Sequence, residues 1–583
     1  MMKFSIIISI TSFLLFTACN IQEKSSATQE VSSSIASNRE ERIARKKSIG
    51  KTLKESEHLS VEERISLYHR LKEESSDLYD FENEDDMTMY GYSLLWRDRL
   101  KEALEIFKLI VSQFPDSSNP YDSLGEAYLA LGEEEKALAN YQKSLALNPE
   151  NHNAIDQINR IKKIESPSEN QREKAEDKFA KTFNAEAYKA DLEALGNKLI
   201  EVHPNALKFI SKEAFWKVIG DKKALMTDQT TYAEFAWHCS EIVANVNCSH
   251  TSTGGFFPEW EMLPKSLFFP LEVRWMSEGL FVVEAFDHND KIAVKDEILS
   301  INGIAVDQLI KNIYPHLPSQ GHIATSKRHD FNFSARGMIA YELNFPKSYE
   351  LIIKDKETPI VLDSGRASIA SFIEPFTKPC PENLCLEIIE EEKTAILSVA
   401  SFNYYWWNNL DDFEEFMDKG FQEIQEKGIE NLIVDVRFNG GGSFHPSIHL
   451  LRYLSNKPFT YYLNEGLEHP FDNHFKGNLY FLIDGNGSST TGHFMAIAKS
   501  LNLGTIIGEE LGSNQFCTAG QMICRLPNTE LQYYVANSTV ESSATSLPDE
   551  TGILPDHYVT QSIDDYLNNV DTVKEYALQL IEK

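Results

Sequence analysis

The stretch "NLIVDVRFNGGGS", residues 431–443, decides the fold. Its apolar run reads as a buried strand, and the run stops on Asn439 and three glycines. Consecutive glycines let the backbone approach a ligand closely and aim N–H groups at it. A phosphate loop would continue with a Lys-Ser/Thr pair, and none follows. Downstream lies "LYFLIDGNGSSTTGHFMAIAKSLNLGTIIGEE", residues 479–510. A strand ends at Asp484, small polar residues follow, a helix begins near Thr491, and "TIIGE" is a further strand. Upstream, "TAILSVASF" reads as a strand and "DDFEEFMDKGFQEIQEKG" as an amphipathic helix. Strands alternating with helices predict an α/β domain with crossover connections.

A serine at a strand–helix junction meets the helix N-terminal field, which stabilises an oxyanion. The same position also suits a helix cap, and Ser488, Ser489 and Thr490 all qualify as caps. The two phrases together resemble the tail-specific (C-terminal processing) peptidases and tricorn protease. Their pattern is a strand into "LRxNGGG", a Ser-rich turn before a helix, and a strand ending "VGE". Aligned on Gly508-Glu509, the resemblance implies Ser489 as nucleophile. It implies the N–H groups of Gly440 or Gly441 and of Thr490 as oxyanion donors. It covers residues 390–560, or 190–583 with the preceding domain, and implies a crotonase-like α/β peptidase domain over 366–583.

Two positions depart from the pattern. Gly492 stands where a glutamate follows the serine, and Asn514 where the tail-specific branch has its catalytic lysine. A serine hydroxyl still needs a base, and histidine suits near-neutral pH. "NCSHTST" resembles the Ser-His-Thr phrase of the tricorn branch, which implies His250 as base and Ser249 as its orienting residue. "DETGILPD" resembles that branch's glutamate before "GxxPD", which implies Glu550 as the supporting carboxylate. His493 and His445 are rival bases, and Asp549 is a rival to Glu550. The resemblance implies a peptide or protein substrate, with no metal or organic cofactor.

The region before the peptidase domain is modular. Gly91, Ala103, Phe107 and Pro115 recur 34 residues later as Gly125, Ala137, Tyr141 and Pro149. This period resembles the tetratricopeptide repeat, over residues 86–165, and implies helical hairpins that meet a protein partner. Residues 186–260 form a helical segment carrying the Ser-His phrase. Within 262–365, "LFFPLEVRWM", "GLFVVEAF" and "YELIIK" read as strands. "VKDEILSINGIAV" is two strands joined at Asn302-Gly303. That phrase resembles PDZ-like domains, with Lys295 where their glycine stands. The expected architecture is thus multidomain: tetratricopeptide hairpins, a helical segment with a PDZ-like β-domain, and the α/β peptidase domain.

At the N-terminus, Lys3 precedes an apolar run from Phe4 to Phe16 and then Ala18-Cys19. The run falls short of the ~20 residues of a membrane span and reads as a secretory signal over 1–18. Ala18-Cys19 resembles the lipobox of bacterial lipoproteins, which implies lipid on Cys19 and attachment to the cell envelope. Asn20 is compatible with the outer membrane, facing periplasm or exterior. Residues 19–85 would form a polar tether and a helical stretch. Of the remaining cysteines, Cys380 with Cys385 and Cys517 with Cys524 are close enough in sequence to pair. The net charge of -32 argues against a nucleic-acid partner. A second class of function stays open, a catalytically inactive lipid-anchored scaffold that binds peptides through the repeats and the PDZ-like domain. A hydrolase of non-peptide esters or amides would use the same residues.

Overall fold

The computed structural model describes residues 46–162, 178–253, 263–365, 372–378, 380–463 and 465–582. The signal peptide, Cys19 and most of the tether lie outside the described residues. Among the described residues, no helix is long and apolar enough to cross a membrane. Among the described residues, one compact unit takes in 46–162 with Gly520–Ile523 and Val535–Ser538. The other comprises the described residues of 178–519, Cys524–Tyr534 and 539–582.

In the first unit, two short helices, α1 (Ile49–Glu55) and α2 (Val61–Glu74), precede the repeat. The hairpins are α3 (Glu84–Trp96) with α4 (Leu100–Gln113), and α5 (Asn119–Ala130) with α6 (Glu134–Leu147). The 34-residue period has a steric cause. A Cβ on Gly91 would sit 2.6 Å from the Phe107 ring, and one on Gly125 would sit 3.1 Å from the Tyr141 ring. Each glycine lets an aromatic of the second helix close on the first. Helix α7 (His152–Ile161) covers the end of the second hairpin, where Ala154 and Ile158 pack with Ala137 and Tyr141.

The second unit opens with helices α8 (Ala185–Val202), α9 (Lys212–Leu225) and α10 (Tyr232–Ala244). The PDZ-like sheet has strands β1 (Glu272–Met276), β2 (Gly279–Glu284), β3 (Glu297–Ile301), β4 (Ser348–Ile353) and β5 (Ile360–Asp363), hydrogen-bonded in that order. Lys295 takes the glycine's place with φ 78°, a left-handed conformation that costs a side chain about 1 kcal/mol. Helix α11 (Val306–Ile313) follows the Asn302-Gly303 turn, and α12 (Ala324–Glu342) packs along β1.

The C-terminal α/β domain holds β6 (Leu384–Ile389), β7 (Thr394–Val399), β8 (Asn431–Asp435), β9 (Asn478–Ile483), β10 (Thr505–Gly508) and β13 (His557–Tyr558) in one sheet. The order is β13-β10-β9-β8-β7-β6, with every pair parallel except the antiparallel edge β6–β7. Ile396, Ile433, Leu482 and Ile507 bury one face under Val573 and Ala577 of α17 (Thr572–Ile581), which follows α16 (Ile563–Leu567). Helices α13 (Leu410–Glu426), α14 (Phe444–Leu454) and α15 (Thr490–Ser500) belong to the same domain. There the rings of Phe402, Phe413, Phe481 and Phe494 meet. A two-stranded sheet of β11 (Phe516–Arg525) and β12 (Gln532–Glu541) stands apart from the main sheet.

Cys380 and Cys385 form a disulfide. No disulfide joins Cys517 and Cys524, which corrects the second expectation, and both are buried. They share strand β11 seven residues apart, about 23 Å at the rise of an extended chain, well beyond disulfide reach.

Candidate active site

The site forms where β8 and β9 end, on the carboxyl side of the parallel strands, the edge that open α/β sheets use for ligands. After β8, Arg437 turns back and is buried. Its guanidinium grips Asp435 at 2.7 and 2.9 Å and both carboxylate oxygens of Asp571 at 2.7 Å. Phe438 then takes φ 63°, and its N–H meets the Asp484 carboxylate at 3.2 Å. Desolvation pushes that carboxyl up to about 7, against the pull of Arg437.

Asn439 is the hub of the turn and is fully buried. Its side chain donates to the Val399 carbonyl at 2.9 Å and accepts from the Gly441 N–H at 2.9 Å. Its carbonyl accepts from the Ser488 N–H at 3.2 Å and the Thr491 hydroxyl at 2.9 Å. The Thr490 hydroxyl donates to the Gly442 carbonyl at 2.6 Å. The serine turn is thereby fastened to the glycine turn. The three glycines have different work. A Cβ on Gly441 would lie 2.7 Å from both the Ser489 Cβ and the Ser488 carbonyl, and one on Gly442 would lie 2.3 Å from Phe402. At Gly440 a Cβ would meet nothing.

Ser489 precedes α15 with φ 53° and ψ -123°, and its side chain makes no capping bond. The cap reading therefore does not describe it. A non-glycine residue at such angles costs about 1–3 kcal/mol and persists only where its surroundings impose it. Here the imposing bonds run from Asn439 and Gly442. No acceptor for the Gly440 or Thr490 N–H occurs among the described residues, so both are left to a ligand. The Gly441 N–H is spent on Asn439, which removes it from the expected donor set.

His250 follows α10 on a loop. That loop pairs with β12 through the Ser252 N–H to the Tyr534 carbonyl at 3.1 Å and the Tyr534 N–H to the Ser252 carbonyl at 2.8 Å. The His250 Nδ1 lies 3.4 Å from the Ser249 Oγ and 3.5 Å from the Cys517 Sγ. Burial lowers its pKa to about 4. Burial also drives the Cys517 thiol far above its ordinary value; the nearby charge of Cys248 adds to this, and hydrogen bonding to the Ser489 hydroxyl opposes it.

The other expected groups fall elsewhere. Glu550 is exposed, and its carboxylate touches neither His250 nor Ser249. Its carbonyl instead accepts the His322 N–H at 2.8 Å. Asp549 pairs with Lys208 at 2.6 Å. His445 bonds Ser443 at 3.1 Å. His493 is buried beside the site, and neither ring nitrogen has a hydrogen-bond partner of full geometry. Its pKa falls to about 4, through burial first and then the charge of His250, with the Val540 backbone opposing. Asn514, in the lysine's place, is a structural tie: it donates to the carbonyls of Asp549 at 2.8 Å and Thr551 at 2.9 Å. The sequence reading missed Asn439 and Cys517. Only the asparagine within "FNGGGS" carried a local signal.

At the β1 edge of the PDZ-like sheet, one residue's backbone groups are already engaged. Asn332 of α12 accepts from the Trp275 N–H at 2.6 Å and donates to its carbonyl at 3.0 Å. An added peptide strand would need those same two groups.

Residues 393–559 match Peptidase family S41, and residues 119–151 match the tetratricopeptide repeat. The chain carries an S41 peptidase domain. The S41 domain begins at β7 and ends at β13, enclosing the Asn439 and Ser489 turns, and it makes the protein a hydrolase of the peptidase class. No curated protein matches the chain. Solved structures similar to it include mature CPAF, at 14% identity and TM-score 0.47, covering 68% of this chain and 98% of that one. A photosystem II D1 C-terminal processing protease matches at 12% identity and TM-score 0.32, covering 66% and 98%. A lipoprotein from Streptococcus agalactiae matches at 10% and 0.31, covering 68% and 96%.

Proposed function

We propose that this S41 peptidase cleaves peptide or protein substrates through an acyl-enzyme on Ser489, with His250 as the general base. The observation that carries the reading is the Ser489 turn: a strained, half-buried serine with no capping bond, beside two unengaged N–H groups. Each such donor lowers the barrier by about 3 kcal/mol when aimed at the developing oxyanion. A neutral His250 accepts the serine proton, the tetrahedral oxyanion rests on the N–H groups of Gly440 and Thr490, and water releases the acyl group. Ser249 and Cys517 supply the neutral groups around the His250 Nδ1. Labelling by a fluorophosphonate probe should be strong in the wild type and absent in Ser489→Ala. Equal labelling of both would remove Ser489 from the mechanism.

The proposal also places the protein in the bacterial envelope, held to the outer membrane by lipid on Cys19, with the repeats binding a protein partner. The lipobox phrase supports the anchor. Metabolic labelling with palmitate should be lost in Cys19→Ala, with release of the protein from the membrane fraction. Retention of both would exclude this anchor.

A further inference from the structure

We propose that Asp484 is a positioning residue, whose carboxylate ties the glycine turn to the serine turn and so fixes the spacing of the Gly440 and Thr490 N–H groups. The inference rests on the peptidase reading above and assigns the residue that holds its oxyanion donors in register.

The basis is a set of bonds that cross from one strand end to the other. Asp484 is the first residue after β9, at the root of the serine turn. Its carboxylate accepts the Phe438 N–H at 3.2 Å from the glycine turn and the Asn486 N–H at 3.1 Å from the serine turn. One oxygen, Oδ1, serves both, since it also lies 3.3 Å from the Phe438 nitrogen. The bond to Asn486 alone would be a local Asx-turn, which many loops use. The bond to Phe438 joins positions 46 residues apart and connects the ends of two strands. A second tie runs further along the same turns, from the Ser488 N–H to the Asn439 carbonyl at 3.2 Å. One tie is a pivot, whereas two hold the turns against rotation. Gly440 lies just beyond Phe438 and Thr490 just beyond Ser488, so both donors inherit the orientation that these ties set.

Packing does not hold the glycine turn by itself. Phe438 takes φ 63° and borders a cavity of about 110 Å³, which leaves the turn room to relax on that side. The cations beside Asp484 are engaged by other carboxylates. Arg437 holds Asp435 and Asp571, and Arg328, which lines the same cavity, pairs with Glu509. Asp484 has no ion pair among the described residues, and a carboxylate withdrawn from water without one is costly. What it gives the fold in return is the pair of backbone bonds. Desolvation raises this carboxyl to about 7, so a neutral form that still accepts through its carbonyl oxygen is present near neutral pH. The turns therefore require an oxygen in the right place more than a charge.

The test uses the full chain and a fluorogenic peptide that the wild type cleaves. Asp484→Asn keeps an oxygen at the Oδ1 position and loses the charge. Asp484→Glu keeps the charge and moves the oxygen by one methylene, and Asp484→Ala removes the acceptor. Alanine should lower kcat about 10²-fold, the usual cost of a misplaced donor, with KM within threefold. Asparagine should stay within about tenfold of the wild type, and glutamate should fall towards alanine. Affinity for a peptide aldehyde, whose adduct with Ser489 carries the oxyanion, should weaken in step with kcat. Affinity for the same peptide with a reduced amide bond, which forms no oxyanion, should stay within threefold. Wild-type kcat in Asp484→Ala, or glutamate matching the wild type while asparagine does not, would overturn the proposal. Equal weakening of both inhibitors would overturn it too, since a merely structural residue gives that result. Should the alanine variant not fold, the asparagine and glutamate variants decide on the same readings. Ser489-dependent fluorophosphonate labelling in the same preparations separates the two claims. Labelling of the wild type with unchanged Asp484→Ala kinetics defeats the positioning role alone, whereas no labelling of the wild type defeats the peptidase reading and this role with it.

Discussion

Ser489 stands on a turn that the central sheet itself makes, whereas His250 hangs from a loop that reaches the site from outside that sheet. The first side is over-determined. Asn439, Gly441, Gly442, Thr490 and Thr491 tie two strand ends together at 2.6–3.2 Å. The second side is held by backbone pairing between Ser252 and Tyr534, and by the Gly321 N–H on the Asn247 carbonyl at 3.0 Å. Its base sees a thiol and a hydroxyl, both neutral. Rigid elements hold the strained nucleophile, and burial sets the base. Perturbing the two sides should therefore give different signatures.

The largest effect is expected at Gly441→Ala. The added Cβ meets Ser489 at 2.7 Å, and φ 93° is unfavourable for alanine. Activity should fall by about 10³-fold, with about 2 kcal/mol or more of stability lost. Gly440→Ala meets nothing and should stay within threefold of the wild type in kcat/KM. If the two substitutions cost the same, the serine side is not built as described.

His250→Ala should come next, with kcat reduced about 10²–10⁴-fold and the fold intact by circular dichroism. The wild-type pH profile sharpens this. Burial lowers the His250 pKa to about 4, so the base stays neutral well below pH 6. The acid limb of kcat/KM should therefore fall near pH 4 to 5. A half-maximum at pH 6.5 would mean that the base is another group, or that a carboxylate reaches it in the working enzyme.

How much of this was legible in the chain follows from how local each signal is. The repeat was legible because Gly91 and Gly125 face Phe107 and Tyr141 within one hairpin. The strand–turn phrases at 431–443 and 479–510 were legible because each is a continuous segment with its own periodicity. The place of Cys517 was not, because it depends on β11 and the His250 loop meeting far from each other in sequence. The Cys517–Cys524 pairing misled for the same reason, since sequence proximity said nothing of their sharing one extended strand. Asn439 was read as part of a glycine turn, and its bonds to Val399, Ser488 and Thr491 appear only once the end of β7 and the serine turn flank it.

A smaller effect separates the base side by stability. His203, His250 and His493 all have folded pKa values near 4, against 6.5 for an exposed imidazole, with burial the largest cause in each. The unfolded chain therefore binds protons first as pH falls. Stability is fully present above about pH 6.5 and drains away towards pH 4, by at most about 3 kcal/mol per histidine. Asp484, raised to about 7, works in the opposite direction, so a difference measurement is needed. His493→Gln should flatten the dependence of urea stability between pH 7.5 and 5. An unchanged slope would show that His493 is not held neutral.

The smallest effect is expected at Glu550→Gln, and it bears directly on the comparison. If the base were held by a carboxylate, as the "DETGILPD" phrase implies, loss of its charge would cost orders of magnitude in kcat. In the structure the Glu550 side chain is exposed, and only its carbonyl, on the His322 N–H, joins the framework. Glutamine preserves that carbonyl and the side-chain size. Activity should remain within threefold of the wild type, with the acid limb unmoved. A hundredfold loss would mean that the carboxylate swings onto His250 when substrate binds. The base would then be supported by a charge, and the contrast between a rigid, strained serine and a histidine kept neutral by burial would no longer hold.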